Sequence, residues 1–121
     1  MFREKIKVLD CTIRDGGLMN NHDFDLRFVR EVYKAISMAG IDYMEIGYKN
    51  SKRIFNPKEF GKWKFCDDED IRKVIDGIKS HTKISVMVDV DRVDVDQVLP
   101  KKDSPVDMIR VATYVKDVDK A

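Results

Sequence analysis

The chain has 121 residues, 43% of them hydrophobic, which is enough material for one globular domain with an apolar core. Its 23 lysines and arginines balance 22 aspartates and glutamates, so no strong positive field exists to attract nucleic acid or an anionic membrane surface. The two cysteines lack metal-binding or disulfide-type spacing, the N-terminus carries no apolar segment, and no apolar run approaches the ~20 residues that span a bilayer, so we expect a cytoplasmic chain without membrane contacts.

The first predicted element is a β-rich run over residues 6–13, which ends in Arg14, Asp15 and two adjacent glycines. We predict a glycine-hinged loop at this point, where the glycines allow the backbone to approach a ligand closely. A carboxylate on such a loop can bind a divalent cation, and a guanidinium group can neutralise an enolate. A strand end with solvated charges is the simpler interpretation.

Helical and strand patterns alternate along the rest of the chain. Asp23 or Asp25 is expected to cap a helix that continues to about Ala39. The remaining predicted elements are a strand at 43–48, a helix with an acidic N-terminus at 67–70, a strand at 84–89, a short helix at 94–99 and a strand at 107–113. This alternation predicts βαβ units and a parallel sheet. Residues 49–66 form a long basic and aromatic loop, for which we predict a role in covering a substrate or facing a partner.

The two-residue period of the strands separates an aliphatic face from a charged face. On the charged face we expect Glu45, Asp89 and Arg110 to lie together, with Asp10 joining them from the first strand and Gly47 beside Glu45. Charges inside a parallel sheet are costly unless they are paired, metal-bound or hydrated, so a ligand site is predicted there. A structural ion pair between Glu45 and Arg110 in a filled barrel is the alternative.

A resemblance to the DRE-TIM metallolyases lies in residues 9–17 (LDCTIRDGG), with Asn20, Asn21 and Phe24 after them. This superfamily includes 4-hydroxy-2-oxovalerate aldolases, 3-hydroxy-3-methylglutaryl-CoA lyases, and isopropylmalate and homocitrate synthases. Residues 43–48 and 108–113 are similar to the second and fourth strands of the family, and the Asp-Gly-Gly form most resembles the aldolase-like branch. The resemblance implies an α/β fold in which residues 1–121 form about four βα units, the N-terminal half of a (β/α)₈ barrel, without a second domain.

The resemblance also implies roles for three residues. Asp15 would be a ligand of Mn²⁺ or Mg²⁺, Arg14 would stabilise the enolate oxygen, and Glu45 would complete the catalytic set by orienting Arg14 or the metal shell. The implied function is a metal-dependent aldolase or lyase acting on a 2-oxo acid and an aldehyde, through pyruvate enolate chemistry. The alternatives are an acyl-CoA condensing synthase of the same superfamily and a non-catalytic half-barrel that serves as a binding or assembly module.

Three departures from the family pattern bear on these roles. The aldolases carry a histidine base three residues after the metal aspartate, where this chain has Leu18, so His22, Tyr48 and Lys49 become alternative candidates for the base. A lone loop histidine such as His22 is more often solvated. The synthases follow Arg-Asp-Gly with an acidic residue and Gln, which this chain lacks.

The third departure concerns the His-x-His pair that completes the family's metal site, because His22 and His81 are the only histidines here. We therefore expect an incomplete metal site in a segment of a longer enzyme, although a native short chain is the alternative. The chain on its own is expected to be inactive and to need an oligomeric or complementing C-terminal half-barrel partner, since an open sheet leaves unpaired edges.

Overall fold

A computed structural model describes residues 5–121 and contains one four-stranded parallel sheet. The strands are β1 (Leu9–Asp10), β2 (Tyr43–Tyr48), β3 (Lys83–Asp89) and β4 (Met108–Ala112), and the helices are α1 (Thr12–Gly16), α2 (Leu26–Met38) and α3 (Asp68–Ile75). Short 3-10 helices occur at Gly17–Met19, Lys62–Lys64, Val95–Gln97 and Val115–Lys120. Part of the sequence interpretation of the N-terminus rests on residues 1–4, which lie outside the described residues.

The strand order is β1-β2-β3-β4, and all three neighbouring pairs are parallel. Each strand therefore lies beside the next one along the chain, always in the same direction across the sheet. A doubly wound sheet reverses this order, whereas a (β/α)₈ barrel keeps it. The predicted fold class, parallel βα units that form the N-terminal half of such a barrel, is confirmed.

The apolar core lies between one face of the sheet and the helices α2 and α3. Met44 and Ile46 of β2 and Val86 of β3 are fully buried there. The helices contribute the buried side chains of Val29, Tyr33, Ile36, Ile71 and Val74. This arrangement leaves the opposite face of the sheet to the polar residues, as the two-residue period predicts.

Helix α2 begins and ends where its sequence predicts. Asp25 is the N-cap, and its carboxylate accepts hydrogen bonds from the backbone N–H groups of Arg27 at 2.8 Å and Phe28 at 3.4 Å. Gly40 follows the helix with a φ of +75°, a conformation that glycine adopts without steric cost. Strand β2 also has its predicted bounds, β3 begins one residue earlier than predicted, and β4 is one residue shorter than predicted at each end.

The first strand is much shorter than predicted, because helix α1 begins at Thr12. The carboxylate of Asp10 accepts hydrogen bonds from the backbone N–H of Thr12 at 3.0 Å and from its hydroxyl at 2.9 Å. Such local hydrogen bonds from a side chain provide acceptors for backbone N–H groups at the start of a helix, and they compete with strand pairing. Arg14 and Asp15 therefore lie on a short helix and not on a hinged loop.

The segment that connects β3 to β4 contains little helix to cover the sheet. The predicted helix at 94–99 is a single 3-10 turn, Val95–Gln97. Ile109 and Val111, on the outer face of β4, are consequently 40% and 49% exposed. Within residues 5–121, the helices are all too short or too polar to cross a membrane.

Candidate active site

Glu45, in the middle of β2, is the centre of the polar face and is completely buried. Arg110 of β4 donates to both of its carboxylate oxygens, from Nε to Oε2 at 2.7 Å and from Nη2 to Oε1 at 2.6 Å. Ser85 of β3 donates from Oγ to Oε2 at 3.2 Å. Because a buried carboxylate is stable only with partners, these bonds explain how the sheet tolerates Glu45 in its interior.

Arg14 connects this buried carboxylate to the surface. Its Nε donates to Oε1 of Glu45 at 2.9 Å, and its Nη1 forms an ion pair with the neighbouring Asp15. The side chain of Arg14 is 15% exposed, whereas that of Asp15 is 61% exposed. Helix α1 thus places the guanidinium group between a buried and a solvated carboxylate, at the end of β1.

The contacts among Glu45, Arg14 and Arg110 shift the pKa values of all three groups. Burial on its own would raise the pKa of Glu45, but hydrogen bonds from Arg110 and Arg14 outweigh burial and hold that pKa below its ordinary value. Burial opposes the charge of Arg14, yet its hydrogen bond to Glu45 raises its pKa overall. The hydrogen bond to Glu45 also raises the pKa of Arg110. All three groups therefore stay charged at neutral pH.

Cys11, which sequence analysis did not assign to the site, lies beside Glu45 in place of Asp10. Its Sγ is 3.7 Å from Oε1 of Glu45 and 3.8 Å from Nη2 of Arg110. The expectation that Asp10 joins the charged face is wrong, because Asp10 pairs in register with Met44, on the opposite face. Burial, together with the negative charge of Glu45, raises the pKa of the Cys11 thiol despite the opposing effect of Arg14 and Arg110, so the group stays protonated near neutral pH.

Gly16 and Gly17 do not form the predicted hinge. Both have φ values of −59° in the ordinary helical region. Gly17 is instead required for close packing, since a Cβ added to it would lie 2.2 Å from Nδ1 of His22. A Cβ on Gly16 would lie 3.1 Å from the ring of Phe24. The glycines therefore allow the loop at residues 20–24 to pack against α1.

His22 is buried, contrary to the expectation of a solvated loop histidine. Its backbone has a φ of +58°, and its ring meets that of Tyr48 edge-on at a centroid distance of 5.4 Å. Burial, followed by the positive charges of Lys64 and Arg14, lowers the pKa of His22 to about 4. The imidazole is therefore neutral at pH 7, as a general base must be before it accepts a proton.

The other two candidates for the base differ in their placement. The register between β2 and β3 shifts after Glu45, so Tyr48 pairs with Met87 and shares the face on which Gly47 was expected. Lys49 is buried and lies away from this face, with Nζ bound to Asp68 at 2.7 Å and to the carbonyl oxygen of Cys66 at 3.1 Å. His22 and Tyr48 contact each other, whereas Lys49 pairs with Asp68, and the identity of the base stays a prediction.

Asp15 is the one predicted metal ligand, and it has an exposed carboxylate. Across residues 5–121, no group of three or more His, Cys, Asp or Glu side chains is arranged to hold a metal ion. A divalent cation such as Mg²⁺ or Mn²⁺ prefers several oxygen ligands at once. The residues present therefore do not fit a complete metal centre.

The fold and this network define the N-terminal half of an aldolase-type (β/α)₈ barrel, with a fixed arginine at the end of its first strand. The crystal structure of the "N-terminal domain of a putative aldolase from Bacteroides vulgatus" superposes on this chain with a TM-score of 0.80 and 30% sequence identity. The match covers 95% of this chain and 38% of that one.

Comparison of sequences leads to the same class. The chain is 24% identical to 4-hydroxy-2-oxovalerate aldolase of Moorella thermoacetica, over 98% of its own length and 35% of the relative. It is also 24% identical to 4-hydroxy-2-oxovalerate aldolase 6 of Rhodococcus jostii, over 97% of its length and 32% of the relative. A segment of 59 residues is 36% identical to (R)-citramalate synthase of Sulfolobus acidocaldarius. No family model matches the chain.

These relatives are DRE-TIM metallolyases, so the resemblance stated from the sequence is confirmed. The chain spans about a third of the length of the two aldolases it matches. The similarity covers almost all of this chain, from β1 to beyond β4, and corresponds to the N-terminal part of a longer barrel.

Proposed function

We propose that these residues are the N-terminal part of a divalent-metal-dependent aldolase or lyase that breaks or forms a carbon–carbon bond beside a 2-oxo acid such as pyruvate. The observation that carries the proposal is the 2.9 Å bond from Nε of Arg14 to the buried Glu45. It fixes a cation at the strand ends, where barrels of this type bind substrates. The names of the two aldolase relatives support the same class of reaction.

In the cleavage direction, a base removes the proton from the 4-hydroxyl group of a 4-hydroxy-2-oxo acid, and the bond between C3 and C4 breaks. The bonding electrons move toward the 2-oxo oxygen, which produces an aldehyde and an enolate. We assign Arg14 to that oxygen, because its planar guanidinium group stays protonated and can donate hydrogen bonds to the developing negative charge. Protonation of the enolate at C3 then yields the 2-oxo acid.

Glu45 is a positioning residue in this proposal, since it contacts Arg14 and Arg110 and is itself inaccessible to substrate. Mn²⁺ or Mg²⁺ would polarise the 2-oxo acid when bound. Asp15 is the described residue that we propose as a ligand, and we propose that a complementing C-terminal half-barrel supplies further ligands. We therefore expect weak Mn²⁺ binding and no lyase activity from the 121-residue chain alone, and propose an oligomer or a complementing C-terminal half-barrel as its partner.

An acyl-CoA condensing synthase is the second candidate function. The 36% identity to (R)-citramalate synthase over 59 residues favours it, and both reactions need the same stabilised enolate or related oxyanion. Release of free CoA from acetyl-CoA in the presence of pyruvate would identify this activity. Cleavage of a 4-hydroxy-2-oxo acid without CoA turnover would identify the aldolase.

The proposal is tested by the exchange of pyruvate methyl protons into D₂O, measured with the protein expressed from its complete coding region and with added Mn²⁺. Exchange reports enolate formation and does not require the second substrate. We expect Arg14→Ala and Asp15→Asn to reduce the exchange rate at least 100-fold, in line with the loss of an oxyanion-stabilising group. The exposed arginine on α2 supplies a matched control, Arg27→Ala, which should exchange like the wild type. Exchange that survives both site variants, or that wild type does not perform, would reject the proposal.

A further inference from the structure

Lys64 lies against three aromatic rings at the end of the long loop at residues 49–66. Its Nζ is 4.3 Å from the ring centroid of Phe55, 5.1 Å from that of Phe60 and 5.3 Å from that of Tyr48. We call these three rings the aromatic cage. Contacts at these distances allow a favourable cation–π interaction, but π faces do not neutralise the positive charge.

Lys64 differs from the other lysines of this loop in its electrostatic partners. Lys49, Lys52 and Lys62 each form an ion pair with an aspartate at or next to the start of α3. Among the described residues, Lys64 has no carboxylate within ion-pair distance. Burial lowers its pKa, although the more distant charge of Asp89 opposes that effect. The loop thus contains one partly desolvated ammonium group whose charge is not matched by a carboxylate.

Tyr48, one ring of the aromatic cage, lies on the same face of the sheet as the network of Arg14, Glu45 and Arg110. Tyr48 pairs in register with Met87, which shares the face of Ser85 and Glu45. The Tyr48 ring also contacts His22, whose pKa is lowered first by burial and then by the positive charges of Lys64 and Arg14. The two cations are therefore near the same histidine, at the ends of β1 and β2.

The loop holds Lys64 in place through buried contacts of its neighbours. Trp63 is fully buried, and its indole N–H donates to the carbonyl oxygen of Phe24 at 2.8 Å. The carbonyl oxygen of Lys64 itself accepts a hydrogen bond from the N–H of Asn50 at 3.2 Å. A cation on such an anchored segment is pre-organised, so little conformational entropy is lost when it binds an anion.

We propose that Lys64 binds an anionic group on the second substrate, so that the preferred aldehyde carries its own carboxylate. This inference rests on the proposed function, which places the 2-oxo acid at Arg14 and the aldehyde beside it. A carboxylate can supply the counter-charge that the aromatic cage lacks, and attraction between charges strengthens where water is partly excluded. An uncharged aldehyde gains nothing from Lys64.

The test compares two aldehydes of similar length, succinic semialdehyde with a carboxylate and butanal without one. Binding of each aldehyde to the protein expressed from its complete coding region is measured by NMR chemical-shift titration in the presence of pyruvate. We expect the wild type to bind succinic semialdehyde at least 10-fold more tightly than butanal, with a preference that weakens as salt is added. Lys64→Met should reduce this preference at least 10-fold, and Lys64→Arg should retain most of it.

Two further variants separate recognition from loop structure. Lys58→Met removes an exposed lysine of the same loop and should leave the preference unchanged. Lys64→Gln replaces the methionine variant if the latter shows a lowered Tm. The inference would be overturned if the wild type bound both aldehydes equally well, or if Lys64→Met weakened the binding of both aldehydes by the same factor.

Failure of this inference and failure of the proposed function give different results. If the wild type does not exchange pyruvate protons but still prefers the charged aldehyde, the proposed aldolase function is rejected and the anion-binding role of Lys64 is retained. Normal exchange without that preference would reject the role of Lys64 alone.

Discussion

Arg110 donates two hydrogen bonds to Glu45, from Nε to Oε2 at 2.7 Å and from Nη2 to Oε1 at 2.6 Å, across 65 residues of sequence. This pair ties β4 to β2 over the intervening β3, while Arg14 approaches the same carboxylate from α1. One buried acidic side chain therefore orients two cations at once. The ion pair between Glu45 and Arg110 that the alternative interpretation predicted is present, and Glu45 also contacts Arg14.

Replacing Glu45 by glutamine should destabilise the protein markedly. The amide keeps the shape of the side chain but removes the charge, and Arg14 then loses its buried partner. Removing one member of a buried ion pair costs about 3 kcal/mol or more, so we expect a loss of that order in the free energy of unfolding measured with urea. Glu31→Gln, which breaks an exposed pair with Lys34 that water and salt screen, should leave the urea midpoint close to that of the wild type. Equal stability of the two variants would contradict this account.

Arg110→Lys should fail to restore the geometry although it keeps the charge. A lysine offers one ammonium group in place of the planar fork, so it cannot reproduce both bonds to Glu45. We expect a loss of about 1 to 2 kcal/mol on unfolding, together with a faster exchange of the Arg14 Nε–H seen by NMR. A wild-type exchange rate in Arg110→Lys would show that Arg110 has no influence on Arg14.

His22 should make the protein less stable as the pH falls below neutrality. Its folded-state pKa of about 4 lies below the ordinary value of 6.5, so the unfolded chain binds more protons between these two values. The contribution of the neutral imidazole is complete above pH 6.5 and is lost as the pH falls toward 4. Between pH 7 and 5 we expect a loss of about 2 kcal/mol.

His22→Asn supplies the comparison for this pH effect, because asparagine tolerates the positive φ at this position and does not titrate. Its urea midpoint should vary much less than that of the wild type between pH 7 and 5. Glu45 also has a lowered pKa, but its stabilisation is complete above its ordinary pKa of 4.5 and is lost only below that value. Parallel pH profiles for the two proteins would exclude His22 as the titrating group.

Gly17→Ala should destabilise the protein even though alanine normally favours helical backbone. The position has a φ of −59°, where alanine would otherwise gain up to about 1 kcal/mol. The added Cβ would lie 2.2 Å from Nδ1 of His22, so we expect a net loss of about 2 kcal/mol from overpacking. In a His22→Ala background the same substitution should cost little, which a double-mutant cycle on urea unfolding would measure. Additive effects would place the cause elsewhere.

Much of the fold was predictable because local signals agree with the tertiary structure. The cap at Asp25, the glycine at Gly40 and the alternation in β2 each depend on neighbours close in sequence. The same period correctly placed Glu45 and Arg110 on one face of the sheet, since parallel strands in register align side chains of equal parity. The predicted metal role of Asp15 stays a prediction.

The errors arise where contacts distant in sequence or a local irregularity decide the outcome. Asp10 binds Thr12 and starts a helix, so Cys11 takes the place beside Glu45 that alternation had given to Asp10. The register shift after Glu45 exchanges Gly47 for Tyr48. Neither the start of α1 nor the register shift follows from residue type alone. Each depends on which of two possible hydrogen-bond partners the backbone or side chain contacts in the folded chain.

By itself, the sequence determined the parallel βα order, the charged face of the sheet and the resemblance that names Arg14, Asp15 and Glu45. These features follow from hydrophobic periodicity and from a motif, which are properties of short segments. Only the tertiary structure decided that Gly17 makes room for a buried, neutral His22 and that Lys64 lies in an aromatic cage. Steric fit and desolvation depend on every atom that surrounds a group in space, and a sequence does not record those neighbours.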